Sequence, residues 1–254
     1  MTPRVDLNCD LGESFGPWQL GNEERIFPLI SSANIACGYH AGDPATMRRT
    51  VQLAKRHGVA VGAHPGLPDL EGFGRRDMGI SADEAYELTL YQLGALDAFT
   101  RAEGVRLAHV KPHGALYNMA ARDAALAEAL ASAVKAFRDD LVLFGQPSSE
   151  HERTAVKLGV RFAAEVFADR GYRADGTLVP RRDHGAFITD PVEAAARVVA
   201  MVRERRVKAV SGEWVELRAD TVCLHGDSPQ ALEWARTIRR ALAEAGIEVT
   251  PPWV

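Results

Sequence analysis

Short runs of β-branched and other apolar residues alternate along this chain with longer stretches whose apolar residues recur at helical spacing. The runs predict strands at 5–9, 33–37, 59–63, 107–111, 141–144, 162–167 and 221–224, with a weaker one at 209–211. Residues 215–217 are expected to pair with 221–224 as a hairpin. Helix starts are marked by Asp43, Asp190 and Ser228, each followed by proline at the first helical position. Ser81 with Glu84 and Ser149 with Glu152 fit the capping box, and Gly58, Gly104, Gly159 and Gly246 stand where helices should end. Seven or eight β/α units in succession predict an α/β fold. No linker or low-complexity tract divides residues 1–254, which read as one domain. A doubly wound open sheet gives the same alternation, but the placement of polar residues favours a distorted, TIM-like (β/α) barrel.

Residues two apart on a strand share a face, so Asp6, Asn8 and Asp10 are in phase, as are His109, Lys111 and His113. Glu165 with Asp169, and Cys223 with His225 and Asp227, repeat the pattern. A barrel's outer face is covered by helices and should be apolar, so these polar faces point inward. Groups at the C-terminal strand ends line a barrel's active face. Any one such residue is as readily a helix cap or a satisfied core group. Asp43 is read as a cap, Glu84 and Glu152 as capping partners, and residues 203–206 as a solvated helix end. Burying unpaired charge is costly, which makes several in-phase clusters hard to explain as structure alone.

Composition narrows the function. With 254 residues, 46% hydrophobic and 25% charged, the chain can bury a large core, and its net charge of −4 offers nothing to nucleic acid or an anionic membrane. No apolar run approaches a membrane span, and the first ten residues lack a secretory apolar stretch. Three scattered cysteines without a CxxC pair suit a reducing, cytoplasmic setting. His40 lies in a glycine-rich loop before a helix N-terminus, and His64 precedes Pro65 and Gly66. Arg75, Arg76 and Arg170 can grip a carboxylate. HxxxH at His109 and His113 is weak as a metal pair, because Pro112 forbids a helix there. Asp10 with His40 and His64 is the better candidate ligand set for a divalent metal. There is no G-x-S-x-G elbow, no G-x-x-x-x-G-K-[ST] loop and no G-x-G-x-x-G fingerprint. Carboxylates and histidines for proton transfer, with lysine and arginines for an oxyanion, suit amide or ester hydrolysis.

Seven segments are recognisable together: DLNCDLGESFG from Asp6, SANIACGYHAGD from Ser32, HPG from His64, GFGRR from Gly72, HVKPHGALYN from His109, EVFADRGY from Glu165 and CLHGD from Cys223. In this order they resemble the LamB/YcsF family of lactam-utilisation proteins, which supplies the A subunit of bacterial ATP-dependent 5-oxoprolinase. The resemblance implies a seven-stranded barrel of the glycoside hydrolase/deacetylase type. It implies cleavage of 5-oxo-L-proline to L-glutamate coupled to hydrolysis of ATP, beside separate B and C subunits that handle nucleotide-dependent activation. Matching the motifs, Asp10, Glu13, His40, Lys111 and His113 are the expected catalytic residues. His64, Arg75, Arg76, Glu165, Asp169, Arg170, His225 and Asp227 are the expected substrate-binding residues. Leu67 stands where relatives commonly carry tyrosine. Two other readings stay open: a metal-dependent deacetylase or amidohydrolase without ATP, and a non-catalytic lactam- or sugar-binding subunit. Homo-oligomerisation is open too.

Overall fold

The computed structural model describes residues 2–20, 23–225 (His225 by its backbone only) and 230–252. Its strands in chain order are β1 (Arg4–Leu11), β2 (Ser32–Ala36), β3 (Ala60–His64), β4 (Leu107–Val110), β5 (Val142–Gly145), β6 (Arg161–Phe167), β7 (Arg206–Lys208), β8 (Trp214–Glu216), β9 (Thr221–His225) and β10 (Glu248–Val249). Among the described residues, β1 to β6 and β9 pair in parallel, and β9 also pairs with β1, so seven strands close into a barrel. The helices are α1 (Glu23–Ile26), α2 (Pro44–His57), α3 (Ala82–Ala102), α4 (Gly114–Ala120), α5 (Ala124–Phe137), α6 (Glu150–Leu158), α7 (Pro191–Glu204) and α8 (Ala231–Glu244). No described helix is long and apolar enough to cross a membrane.

The start signals act as local chemistry predicts. Asp43 accepts from the Thr46 N–H, Asp190 from Val192, and Ser81 with Glu84 closes a full capping box. Ser149 caps α6 through the His151 N–H, but Glu152 accepts from Ser148 rather than from Ser149, so that box is opened by one residue. Ser228 lies outside the described residues. The outward strand faces (Val5, Leu7, Ile35, Val61, Val110, Val222) bury against Val51, Leu93, Val134, Val198 and Ile238 of the helices. Each such side chain contributes roughly 1.5–3 kcal/mol. A second apolar cluster joins Leu67, Leu88, Leu116 and Leu130, and the leucine at 67 is fully buried there.

Two strand expectations are corrected. Residues 209–211 form the turn between β7 and β8, helped by Gly212 at φ 101°. β8 pairs antiparallel with β7, with Val215 opposite Val207, and not with residues 221–224. The reason is burial. Val222 and Leu224 are covered from outside while Thr221 and Cys223 are covered from within, which places β9 in the barrel wall. β7 and β8 form a separate ribbon, and β10 extends β1 at its start.

Candidate active site

Instead of the apolar layers that usually fill such barrels, polar layers rise through this interior. At the bottom, Asp6 accepts from the hydroxyls of Ser31, Ser32 and Thr221. Burial nevertheless pushes its carboxyl up to about 6, against the lowering effect of those bonds. Above it, Asn8 donates to Glu165 Oε1 (3.1 Å) and Thr221, while Asn34 donates to Asn8 and to Asp10 Oδ1 (2.8 Å). His109 Nε2 completes the layer on Asn34 Oδ1 at 2.8 Å, and burial lowers its pKa to about 3. Its ring fits because residue 62 is glycine; a Cβ there would lie 2.0 Å from Nε2.

The top layer centres on Lys111, one residue beyond β4. Its ammonium lies 2.7 Å from Asp10 Oδ1, 3.0 Å from Glu165 Oε1 and 2.9 Å from Cys223 Sγ. Burial alone would discharge the lysine, but the carboxylates of Asp10 and Glu165 outweigh it and raise its pKa well above the ordinary value. The Cys223 thiol is pushed up by its own burial and stays protonated. Beside this group stand three histidines. His40 and His113 stack face to face at 3.7 Å, with His64 edge-on to both. Burial is the first cause that holds His40 and His113 well below the histidine range. Glu13 Oε1 lies 3.5 Å from His40 Nε2 and 3.7 Å from His113 Nδ1, and Asp10 Oδ2 lies 3.5 Å from His64 Nε2.

The loop motifs make room for these rings. A Cβ on Gly66 would stand 2.4 Å from His40 Nδ1, and one on Gly74 2.7 Å from His40 Cβ and 2.8 Å from His113 Cδ2. Phe73 adopts φ 54°, unfavourable for a bulky residue, and its carbonyl accepts from His113 Nε2 at 2.7 Å. A cavity of about 100 Å³ opens over this layer, lined by Asp10, His64, Lys111, His113, Tyr117 and Phe167. Its mouth carries Arg75 and Arg181, both exposed, and the buried Arg170.

The LamB/YcsF family model matches residues 5–253. The chain belongs to the LamB/YcsF family. It is 57% identical over 246 residues to the A subunit of 5-oxoprolinase from Tolumonas auensis, covering 97% of this chain and 98% of that one. The crystal structure of a lactam utilization protein from Thermus thermophilus superposes with a TM-score of 0.93 at 53% identity, covering 97% and 99%. A GH113 β-1,4-mannanase shares the fold alone, with a TM-score of 0.52 at 12% identity, covering 97% and 99%.

In this LamB/YcsF chain the expected residues divide into groups. Asp10, Glu13, His40, His64, Lys111, His113 and Glu165 converge at the barrel mouth. Arg75 and Arg170 line the cavity, but Arg170 spends two donors on the carbonyls of Ala186 and Val179, stapling the loop between β6 and α7. Burial lowers its pKa to about 10. Arg76 does not line the cavity; it holds Asp69, which also accepts from Gly72 and so fixes the loop. Asp169 lies half-buried outside the cavity lining, and its charge raises the neighbouring Arg170. The His225 side chain and Asp227 lie outside the described residues. Among the described residues, the donor atoms that gather closely enough for one cation belong to Glu13, His40, His64 and His113, all within 4.8 Å of one another. The expected set Asp10, His40, His64 shares His40 and His64 with this group; Asp10 Oδ1 is engaged by Lys111 and Asn34, and its Oδ2 lies 3.5 Å from His64 Nε2. Asn34 and Tyr117 are additions. Ser32 and Asn34 as alternate polar residues in an apolar strand, and Tyr117 one helical turn after His113, were the available signals.

Proposed function

We propose that this chain is the lactam-opening subunit of an ATP-dependent 5-oxoprolinase, converting 5-oxo-L-proline to L-glutamate as ATP is hydrolysed to ADP and phosphate. The names of the curated relatives support the assignment to that enzyme. The observation that carries the chemistry is the ion pair of Asp10 and Lys111 at the floor of a cavity fit for one small ring. A five-membered lactam is stable enough that its opening needs driving. The sequence carries no phosphate-binding loop. We therefore assign ATP-dependent activation to the B and C subunits, and completion of ring opening to this chain.

Asp10, whose Oδ2 lies 3.5 Å from His64 Nε2, is the base for the attacking water. The Lys111 N–H now turned to Cys223 Sγ, a weak acceptor, is the one best able to move to the developing oxyanion. Tyr117 stays protonated, because burial and the adjacent Glu165 push its phenol well above the usual value, and it can donate to the ring. Arg75 and Arg181 at the mouth attract the substrate carboxylate. Three buried free thiols suit a cytoplasmic protein. The Glu13 and histidine cluster favours a second reading, a metal-dependent amidohydrolase that needs no ATP. Glutamate release from 5-oxoproline and ATP, measured with and without the partner subunits, separates the two. The first reading predicts turnover only with partners and ATP, and robust turnover by this chain alone overturns it.

A further inference from the structure

His64 and His113 are fixed so that two bare ring nitrogens face each other. His64 Nδ1 lies 2.6 Å from the Lys111 carbonyl oxygen, and His113 Nε2 lies 2.7 Å from that of Phe73. A carbonyl oxygen only accepts, so these nitrogens carry the hydrogens, which leaves His64 Nε2 and His113 Nδ1 as the positions for a lone pair and a ligand. Those two atoms are 3.0 Å apart. Two acceptors at that separation repel unless something positive lies between or beside them. The surroundings ask for positive charge as well. The carboxyl groups of Asp10, Glu13 and Glu165 are all buried here, with Lys111 as the one ammonium among them in the described residues. His40 adds two buried ring nitrogens with no hydrogen-bond partner.

We propose that His64 Nε2, His113 Nδ1 and a carboxylate oxygen of Glu13 bind one divalent transition-metal ion. Donors at roughly 2.0–2.2 Å around a tetrahedral ion lie about 3.3 Å apart, close to the 3.0 Å and 3.7 Å separations here. Imidazole and carboxylate together suit zinc, cobalt, nickel or iron rather than magnesium or calcium. The rings of His40 and His113 are parallel within 1°, so one ion cannot lie in both planes as they stand. His40 is therefore a positioning residue, stacked on His113 and 3.5 Å from Glu13 Oε1. The carbonyls of Lys111 and Phe73 orient the two ligand rings, as outer partners of metal-bound histidines commonly do. The site does not depend on the lactam reading. It differs from a set built on Asp10, whose Oδ1 is held by Lys111 and Asn34.

The test uses the whole chain, freed of metal by a chelator and titrated with Co²⁺, followed by visible d–d absorption and calorimetry. The expected result is one ion per chain and a higher melting temperature with metal. Glu13→Gln and His64→Gln should weaken binding on the order of 100-fold or more, whereas Asp10→Asn should keep it. Circular dichroism of the metal-free variants checks their fold. Absence of stoichiometric binding by the folded wild-type chain overturns the site and leaves a shared proton between His64 and His113. Unaltered binding in folded Glu13→Gln and His64→Gln overturns it equally. Because binding is read without turnover, its failure is distinct from failure of the lactam assay.

Discussion

Replacing Lys111 with methionine tests the charge balance at the barrel mouth. The substitution keeps most of the stem's volume and removes an ammonium 2.7 Å from Asp10 and 3.0 Å from Glu165. All three side chains are at most 8% exposed, so water does not take the cation's place. Removing one partner of such a buried pair costs about 3–5 kcal/mol. For a chain of this size that lowers the melting temperature by roughly 6–20 °C. The loss should depend on pH with a definite sign. In the variant, two buried carboxyl groups face each other without a cation, an arrangement that favours their neutral forms, so the cost of the substitution grows as rising pH drives them to ionise. In the wild type the Lys111 pKa is raised well above 10.5, so its own contribution is constant across this range. Urea unfolding of both proteins at pH 5 and pH 8 should show a difference that grows with pH. A loss below about 1 kcal/mol at pH 8, or an equal loss at both pH values, refutes the reasoning.

Three further outcomes are expected. Asp6, raised to about 6 by burial, contributes stability below about pH 4 that is lost as pH rises through 6. Asp6→Asn should therefore gain on the wild type by about 2 kcal/mol between pH 4 and pH 7 in urea titrations, and a constant difference contradicts this. Gly66→Ala places a methyl group 2.4 Å from His40 Nδ1 and should cost roughly 1–3 kcal/mol with reduced turnover. Unchanged stability would mean that His40 is free to move. Arg181→Ala at the mouth should raise KM for the lactam with kcat nearly unchanged, and an equal fall in kcat would place the arginine at the reacting atoms instead.

The barrel was legible because strand and helix periods differ and because caps such as Asp43 and Ser81 act within three residues. The in-phase polar positions Asp6, Asn8 and Asp10 announced an inward polar face for the same reason. What could not be read was reach across the barrel. That Lys111 pairs with both Asp10 and Glu165 depends on closure of β9 onto β1, which no local pattern encodes. The arginines show the same limit: Arg75 lines the cavity while its neighbour Arg76 turns away to Asp69, and adjacent positions in a loop carry no period that separates them. The glycines of the HPG and GFG segments read as turn formers. In the folded protein Gly66 and Gly74 also leave space that imidazole rings fill. The hairpin expected at 215–217 failed from the same source, since two short β-branched runs close in sequence look like natural partners until burial assigns one of them to the barrel wall.

The most direct measurement is glutamate formation from 5-oxoproline and ATP by the complete set of subunits carrying Asp10→Asn in this chain. Asparagine keeps the acceptor for Asn34 and Lys111 but cannot take a proton from water, and Glu165 remains as the ion partner of Lys111, so glutamate release should fall on the order of 10²–10⁴-fold in a chain that stays folded. Near-normal glutamate release by the folded variant would contradict the account and remove Asp10 from the chemistry.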